Sequence, residues 1–280
     1  MAVLSELAGL KIGDEHPVRI MGVINVSPES FYKGSVRVSP KEIADLAVKM
    51  EEEGADIIDV GAMSTAPYLK TAITIEEEIN RLSMAIRVVK DSVSLPISAD
   101  TTRSRSAEAA IRSGADAIND VYGLKGDENM ARIVADYNVG LIIAAKAIKQ
   151  EGEPMERISM ALKESLDIAI KAGIKEEKIV VDPAIGFVRD AGWPWHVWDC
   201  HVIKNLKQLR ELNRPICIAV SRKSFIGRIL NLKEPEDRLF GSLSATAIAV
   251  YNGAQMIRTH DVSATSQVVR IVEFIKKVTV

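Results

Sequence analysis

The sequence predicts a single-domain (β/α)8 TIM barrel spanning residues 1–280. Three observations carry this. Eight short apolar runs alternate with amphipathic stretches along the chain. Those runs are near-continuous in Val, Ile and Ala, as parallel strands are when helices cover both faces. Eight such units within 280 residues match the size of a closed barrel. A doubly wound open sheet is the competing architecture.

Taken in order, the predicted strands are "VRIMGVI" (18–24), "DIIDVG" (56–61), "PISAD" (96–100) and "DAIND" (116–120), then "GLIIAA" (140–145), "KIVVD" (178–182), "PICIAV" (215–220) and "QMIRTH" (255–260). A helical pattern follows each. Ser39-Pro40-Lys41-Glu42 reads as a capping box with proline at the first helical position. Ile43, Leu46, Ala47 and Met50 then share one helix face. Thr74 with Glu77 reads as a second capping box, and Gly54, Gly114 and Gly253 stand where glycines end helices. After those glycines comes a weak internal repeat: "EGADIID", "SGADAIND" and "NGAQMIRTH". In each, a strand closes on a polar residue: Asp59, Asn119 or Arg258. Polar groups thus gather at the C-terminal ends of the strands, where barrel sites lie.

Composition narrows the function classes. The hydrophobic fraction of 47% suits a large core, and a net charge of -2 gives no field that would select nucleic acid or an acidic membrane. Two cysteines, Cys200 and Cys217, are too few for a disulfide framework and fit a reducing, cytoplasmic setting. No apolar run reaches spanning length, and the N-terminal segment has acids where a signal peptide would have cations. His196 and His201, five residues apart, sit on poorly matched helix faces for a shared metal.

The remaining polar strand ends suggest a ligand class. Asn25 closes the first barrel strand, Asp100 the third, Asn119 and Asp120 the fourth, and Asp182 the sixth. Ser221, Arg222 and Lys223 follow the seventh, and Arg258, His260 and Asp261 the eighth. Each has an ordinary structural role open to it: Asn25 as a turn residue, Asp100 as a cap, Asp261 as an N-cap. Arg222 reads as a loop-holding residue. Together they place acids and amides on one arc and cations on another. That pattern suits a donor-rich heterocycle with an anionic tail, and phosphate sites in this fold form after strands seven and eight.

The blocks "MGVINVSPESF", "ADIIDVGAMST", "ISADT", "INDVYG", "DPAIGF", "SRKSFIG" and "IRTHDV" resemble, in order and spacing, the signature blocks of the dihydropteroate synthase family. The resemblance covers residues 18 to 275. It implies a TIM-barrel homodimer that joins 6-hydroxymethyl-7,8-dihydropterin diphosphate to p-aminobenzoate or a related aryl amine, releasing diphosphate with Mg2+ assistance. By that resemblance Asp100, Asn119, Asp182 and Lys223 bind the pterin, and Asn25 serves magnesium and diphosphate. Arg258 and His260 form the anion-binding pair, and Thr65, Phe187 and Ser221 lie toward the amine. Asp100, Lys223, Arg258 and His260 are the residues implied to act in the reaction.

The chain also departs from the family pattern. Its second loop reads "GAMSTAPY", with Ala66 and Met63 where arginine and glutamate are usual. Lys33 stands where the first loop usually has an acid, and "VRDAGWPWHVWDCH" replaces a Gly-Lys continuation. These changes lie on the second-substrate side, and Lys33 or Arg189 could replace the missing arginine's charge. A ribosylated aminobenzene phosphate suits such a loop. Trp193, Trp195 and Trp198 read first as loop packing. Two other readings compete: a pterin-dependent methyltransferase serving a corrinoid protein, and a pterin-binding homologue without catalysis. Lys223, Arg258 and His260, a diphosphate apparatus, weigh against methyl transfer. The richness in Ile, Lys and Glu leans toward a thermophilic, divergent member, archaeal among the options.

Overall fold

Each apolar run folds as a strand, and all eight lie in one parallel sheet. The computed structural model describes residues 3–27, 39–63, 73–146, 152–189 and 192–278. In chain order the barrel strands are β3 (Arg19–Asn25), β4 (Ile57–Gly61), β5 (Ile97–Asp100), β6 (Ala117–Asp120), β7 (Gly140–Ala144), β8 (Ile179–Asp182), β9 (Cys217–Ala219) and β10 (Met256–Thr259). The sheet order is β8-β7-β6-β5-β4-β3-β10-β9. A parallel bridge between Val181 and Ile216, with Val181 N–H donating to Pro215 C=O at 2.9 Å, joins the last two strands and closes the cylinder. The open-sheet alternative is thereby excluded.

Helices α1 (Pro40–Glu52), α2 (Ile75–Ser92), α3 (Ser104–Ser113), α4 (Met130–Tyr137), α5 (Pro154–Lys171) and α6 (Trp195–Lys204) follow β3 to β8 in turn. Two helices, α7 (Ser224–Leu230) and α8 (Leu239–Tyr251), follow β9, and α9 (Val262–Lys277) follows β10. The Ser39 capping box forms in full, Oγ accepting from Glu42 N–H and the Glu42 carboxylate accepting from Ser39 N–H. Thr74 caps α2 through Glu77 N–H at 3.1 Å, while the Glu77 carboxylate pairs with Arg81 one turn on. Gly54, Gly114 and Gly253 all take positive φ, as helix-ending glycines do. No helix among the described residues is long and apolar enough to cross a membrane.

One element was not foreseen. β1 (Leu4–Leu7) and β2 (Leu10–Gly13) form an antiparallel hairpin ahead of the barrel. Its Ala8-Gly9 turn has both residues at positive φ, the geometry that matches strand twist. Leu7 and Ile12, both 0% exposed, plug the barrel from below and cluster with Met21, Ile57, Ile142 and Val180. This is one of two cores among the described residues. The other lies between sheet and helices, where Ile24, Ile58 and Ile118 meet Ile43, Leu82 and Ile86.

The inner core positions the site. Side chains on a strand repeat every two residues. Two positions above the apolar floor, the same inward face therefore presents Asp59 above Ile57, Asn119 above Ala117, Asp182 above Val180 and Arg258 above Met256. The floor is dry and apolar; the next layer up is charged.

Candidate functional site

The charged layer is a hydrogen-bonded cluster. Arg258 Nε donates to Asp59 Oδ2 at 2.7 Å, and its Nη2 donates to Asp100 Oδ2 at 2.8 Å. Asn119 Nδ2 donates to the same Asp59 oxygen at 3.2 Å. Asp59 is fully buried, and the second oxygens of Asp59 and Asp100 are buried with no hydrogen-bond partner among the described residues. Burial pushes the Asp100 carboxyl up to about 7, with Arg258 pulling the other way and the neighbouring acids adding to the rise. Burial works against the charged Arg258, but Asp59 and Asp100 more than offset it and hold the guanidinium firmly cationic. Two buried acceptor oxygens beside a fixed cation make a place where a ligand's N–H groups or a developing positive charge would be stabilised.

Across the mouth, Asp182 and Lys223 face each other as opposite charges. Burial raises the Asp182 carboxyl, and Lys223 partly counters that rise. Burial lowers the Lys223 ammonium to about 8, while Asp182 and Asp199 hold it up. Lys223 Nζ donates to the Ile185 carbonyl and lies 4.8 Å from the Phe187 ring centroid. The turn between Asp182 and Phe187 is fixed by Ala184 N–H donating to Asp182 Oδ1 at 2.6 Å, and Gly186 sits at φ +82°. A β-carbon on Gly186 would lie 2.8 Å from Lys223 Cδ, so glycine is what lets the lysine lie over this loop.

At the end of β10, His260 Nδ1 and Ser221 Oγ lie 2.9 Å apart, and Nε2 is 3.5 Å from Asn25 Nδ2. Burial, then Arg258, Arg222 and Lys223, lower the imidazole to about 3. His260 is therefore neutral at pH 7, because three cations nearby disfavour a fourth in a desolvated pocket, and it would meet an anion through a ring N–H. Arg258 itself is held by two carboxylates, through Nε and Nη2. Asp261 occupies the N-cap position of α9 but makes no side-chain cap. Instead its carboxylate takes both Nε and Nη2 of Arg222, at 2.9 and 2.7 Å. Arg222 also donates to the carbonyls of Pro235 and Glu236, so it holds the loop after β9 from a residue at φ +55°.

The structure thus brings Asn25, Asp100, Asn119, Asp182, Phe187, Ser221, Lys223, Arg258 and His260 to one end of the barrel. Thr65 lies outside the described residues, as do Ala66 and Lys33. Sequence reasoning left Asp59 out of the site, although the internal repeat aligned it with Asn119 and Arg258, its two partners here. It also left out Asp199, a fully buried acid on α6 that accepts from Gly186 N–H at 2.8 Å. Trp198 beside it is 1% exposed and packs in the outer core. Among the described residues no group of three His, Cys, Asp or Glu side chains is placed to hold a metal ion.

A closed barrel whose mouth pairs acids and an amide with a lysine and an arginine has the chemistry to read a pteridine, and the chain belongs to the pterin-binding enzyme family, whose pattern matches residues 21–260. Its relatives are specific. It is 38% identical to the dihydropteroate synthase of Clostridium beijerinckii over 259 residues, 91% of this chain and 93% of that one. The solved dihydropteroate synthase of Clostridium difficile, in the presence of pteroic acid, superposes with a TM-score of 0.85 at 34% identity, covering 94% of this chain and 98% of that chain. The Xanthomonas albilineans enzyme with 4-aminobenzoic acid does so at 0.88 and 30% identity, covering 100% of each.

Proposed function

We propose that the chain is a dihydropteroate synthase-type transferase, joining 6-hydroxymethyl-7,8-dihydropterin diphosphate to an aryl amine and releasing diphosphate. The observation that carries this is the facing of Asp182 and Lys223 across from the Asp59–Arg258–Asp100 cluster, in a chain of this family. Asp182 accepts from the pterin amino group and ring N–H, Asn119 pairs with a second edge, and Lys223 donates to the ring carbonyl. The C–O bond to diphosphate breaks with its electron pair leaving on oxygen. The carbon left behind is electron-poor, and the Asp100 carboxylate stabilises it. The amine nitrogen then forms the new C–N bond with its lone pair, and the acidic anilinium so formed gives its proton to solvent. A strong base is not required, because an aromatic amine is unprotonated at neutral pH.

Magnesium fits the donors present in one specific way. Asn25, at the end of β3, would hold the ion through its single amide oxygen, a hard donor of the kind magnesium takes. Such an ion neutralises charge on the departing diphosphate. Phe187 and Ser221 lie on the amine side in this reading, with Thr65. The whole chain, 1–280, works as one barrel domain. Two free cysteines, Cys200 and Cys217, support a reducing cytoplasmic setting. A homodimer is supported by an apolar face on α8 and α9, where Phe240 is 79% and Phe274 72% exposed.

The test is diphosphate release with the pterin diphosphate and each of two amines, p-aminobenzoate and a ribofuranosyl-aminobenzene phosphate. Release with either one supports the transferase, and the faster amine names the second substrate. No release with both, under conditions where the pterin diphosphate binds, overturns it.

A further inference from the structure

Asp199 is a buried carboxylate that the reaction above does not use. It lies on α6, 0% exposed, inside the stretch where this chain departs most from the family pattern. Its Oδ1 accepts from Gly186 N–H at 2.8 Å, and its Oδ2 is buried without a hydrogen-bond partner among the described residues. A buried anion left half-satisfied is costly unless positive charge stands close by. Two cations do so: Lys223 and Arg189 both stabilise the ionised form. Arg189 is itself stacked 4.3 Å from the Trp195 ring centroid and donates to Ser224 Oγ at 2.7 Å. Arg157 of α5 lies over the Trp198 ring, at 4.7 Å. From the other side, Lys223 feels Asp182 and Asp199 as attractive charges, and Arg258 and Arg189 as repulsive ones.

The geometry joins these facts. The loop that Asp199 ties down supplies the carbonyl that Lys223 donates to, at Ile185, and the ring it lies over, at Phe187. Gly186, the tied residue, is the one whose lack of a side chain lets Lys223 lie there. We propose that Asp199 is a positioning residue for the pterin lysine: it fixes the 184–187 loop through Gly186 and adds a second buried negative charge to the surroundings of the Lys223 ammonium. The inference rests on Lys223 being a pterin contact. It extends that reading to a residue that touches no substrate.

Burial lifts the Asp199 carboxyl to about 6, so its charge is present above that pH and lost below it. Replacing Asp199→Asn keeps an oxygen to accept the Gly186 N–H and removes only the charge. The Lys223 ammonium, held near 8 in the native protein, should then titrate lower. The measurement is the pH titration of side-chain-labelled lysine by NMR, with Lys223→Met assigning the signal, alongside pterin diphosphate affinity from pH 5.5 to 8.5. The expected result is a lower midpoint for the Lys223 titration. Affinity should be unchanged near pH 5.5 and weaker at pH 8, by about fivefold where the midpoint falls by one pH unit. Asp199→Ser, which also removes the charge, gives the same result should the asparagine variant fail to fold. An unmoved Lys223 titration in either folded variant overturns the role of Asp199. Full pterin binding by Lys223→Met overturns instead the reading on which it rests.

Discussion

Arg258 is the residue on which the charged layer turns. It is the shared partner of two buried acids, so its loss leaves both uncompensated. Arg258→Met should destabilise the fold by about 3–5 kcal/mol, the cost of breaking a buried ion pair from one side, and should abolish pterin binding. Denaturant unfolding measures the first; a loss below about 1 kcal/mol would sink the view that Arg258 compensates the two acids. His260 gives a pH signature instead. Its folded value of about 3 lies below the ordinary 6.5, so the unfolded chain takes up the proton first as pH falls. The stability from its neutral ring is complete above pH 6.5 and is lost progressively toward 3, up to about 2 kcal/mol by pH 5. Asp100 runs the other way: raised to about 7, it takes its proton in the folded state first, so its share of stability falls as pH rises from 3.8 to 7. The native-minus-His260→Gln difference in unfolding free energy isolates the histidine and should shrink on acidification from pH 6.5 to 5. At this scale the sequence was legible in type and partly silent in charge. The repeat behind Asp59, Asn119 and Arg258 is visible as letters, and those three are hydrogen-bonded neighbours. The neutrality of His260 is not visible, because it depends on burial and on three cations that meet only in the fold.

At the scale of elements, all eight barrel strands stand within a few residues of where apolar runs predicted them, because fully buried parallel strands write a continuous signal. The β1–β2 hairpin left a fainter one: four-residue strands around Ala8-Gly9, with a turn residue that is not among the usual Asn or Asp. Its role is nonetheless structural. Leu7 fills the barrel floor at 0% exposure. Leu7→Ala should cost about 2–5 kcal/mol as a buried cavity under the site, with pterin affinity little changed because the polar layer is one storey higher. Thermal unfolding and a binding titration on the same sample check both halves; a large affinity loss would show that floor and mouth are not separable. Asp199 was missed for a related reason: helix α6 sits in a Trp-rich stretch that reads as packing, and only the fold brings its acid under Gly186.

For the whole molecule, the apolar face on α8 and α9 is the feature that a lone barrel does not explain. Phe240 and Ile248 repeat along one side of α8, and Ile271, Phe274 and Ile275 along one side of α9. On the proposal that this face pairs two copies, native chain should sediment as dimer, and the double change Phe240→Lys and Phe274→Lys should convert it to monomer. A native chain that sediments as monomer at micromolar concentration would sink the dimer. Closure of the barrel was legible from the count of units. The exposed face was not, because its residues alternate with buried ones at helical spacing and read as ordinary amphipathic helices.

Cys217 stands in the floor layer, 1% exposed, with burial holding its thiol well above the usual range, while Cys200 is exposed on α6. The molecule therefore carries its own gauge of breathing. A thiol reagent will take the exposed Cys200 first, slowed by burial and by Asp199 raising its thiol, and will reach Cys217 only when strands part and the floor opens to solvent. The slow phase of labelling reports how often the cylinder comes apart, separately from whatever its helices and loops are doing.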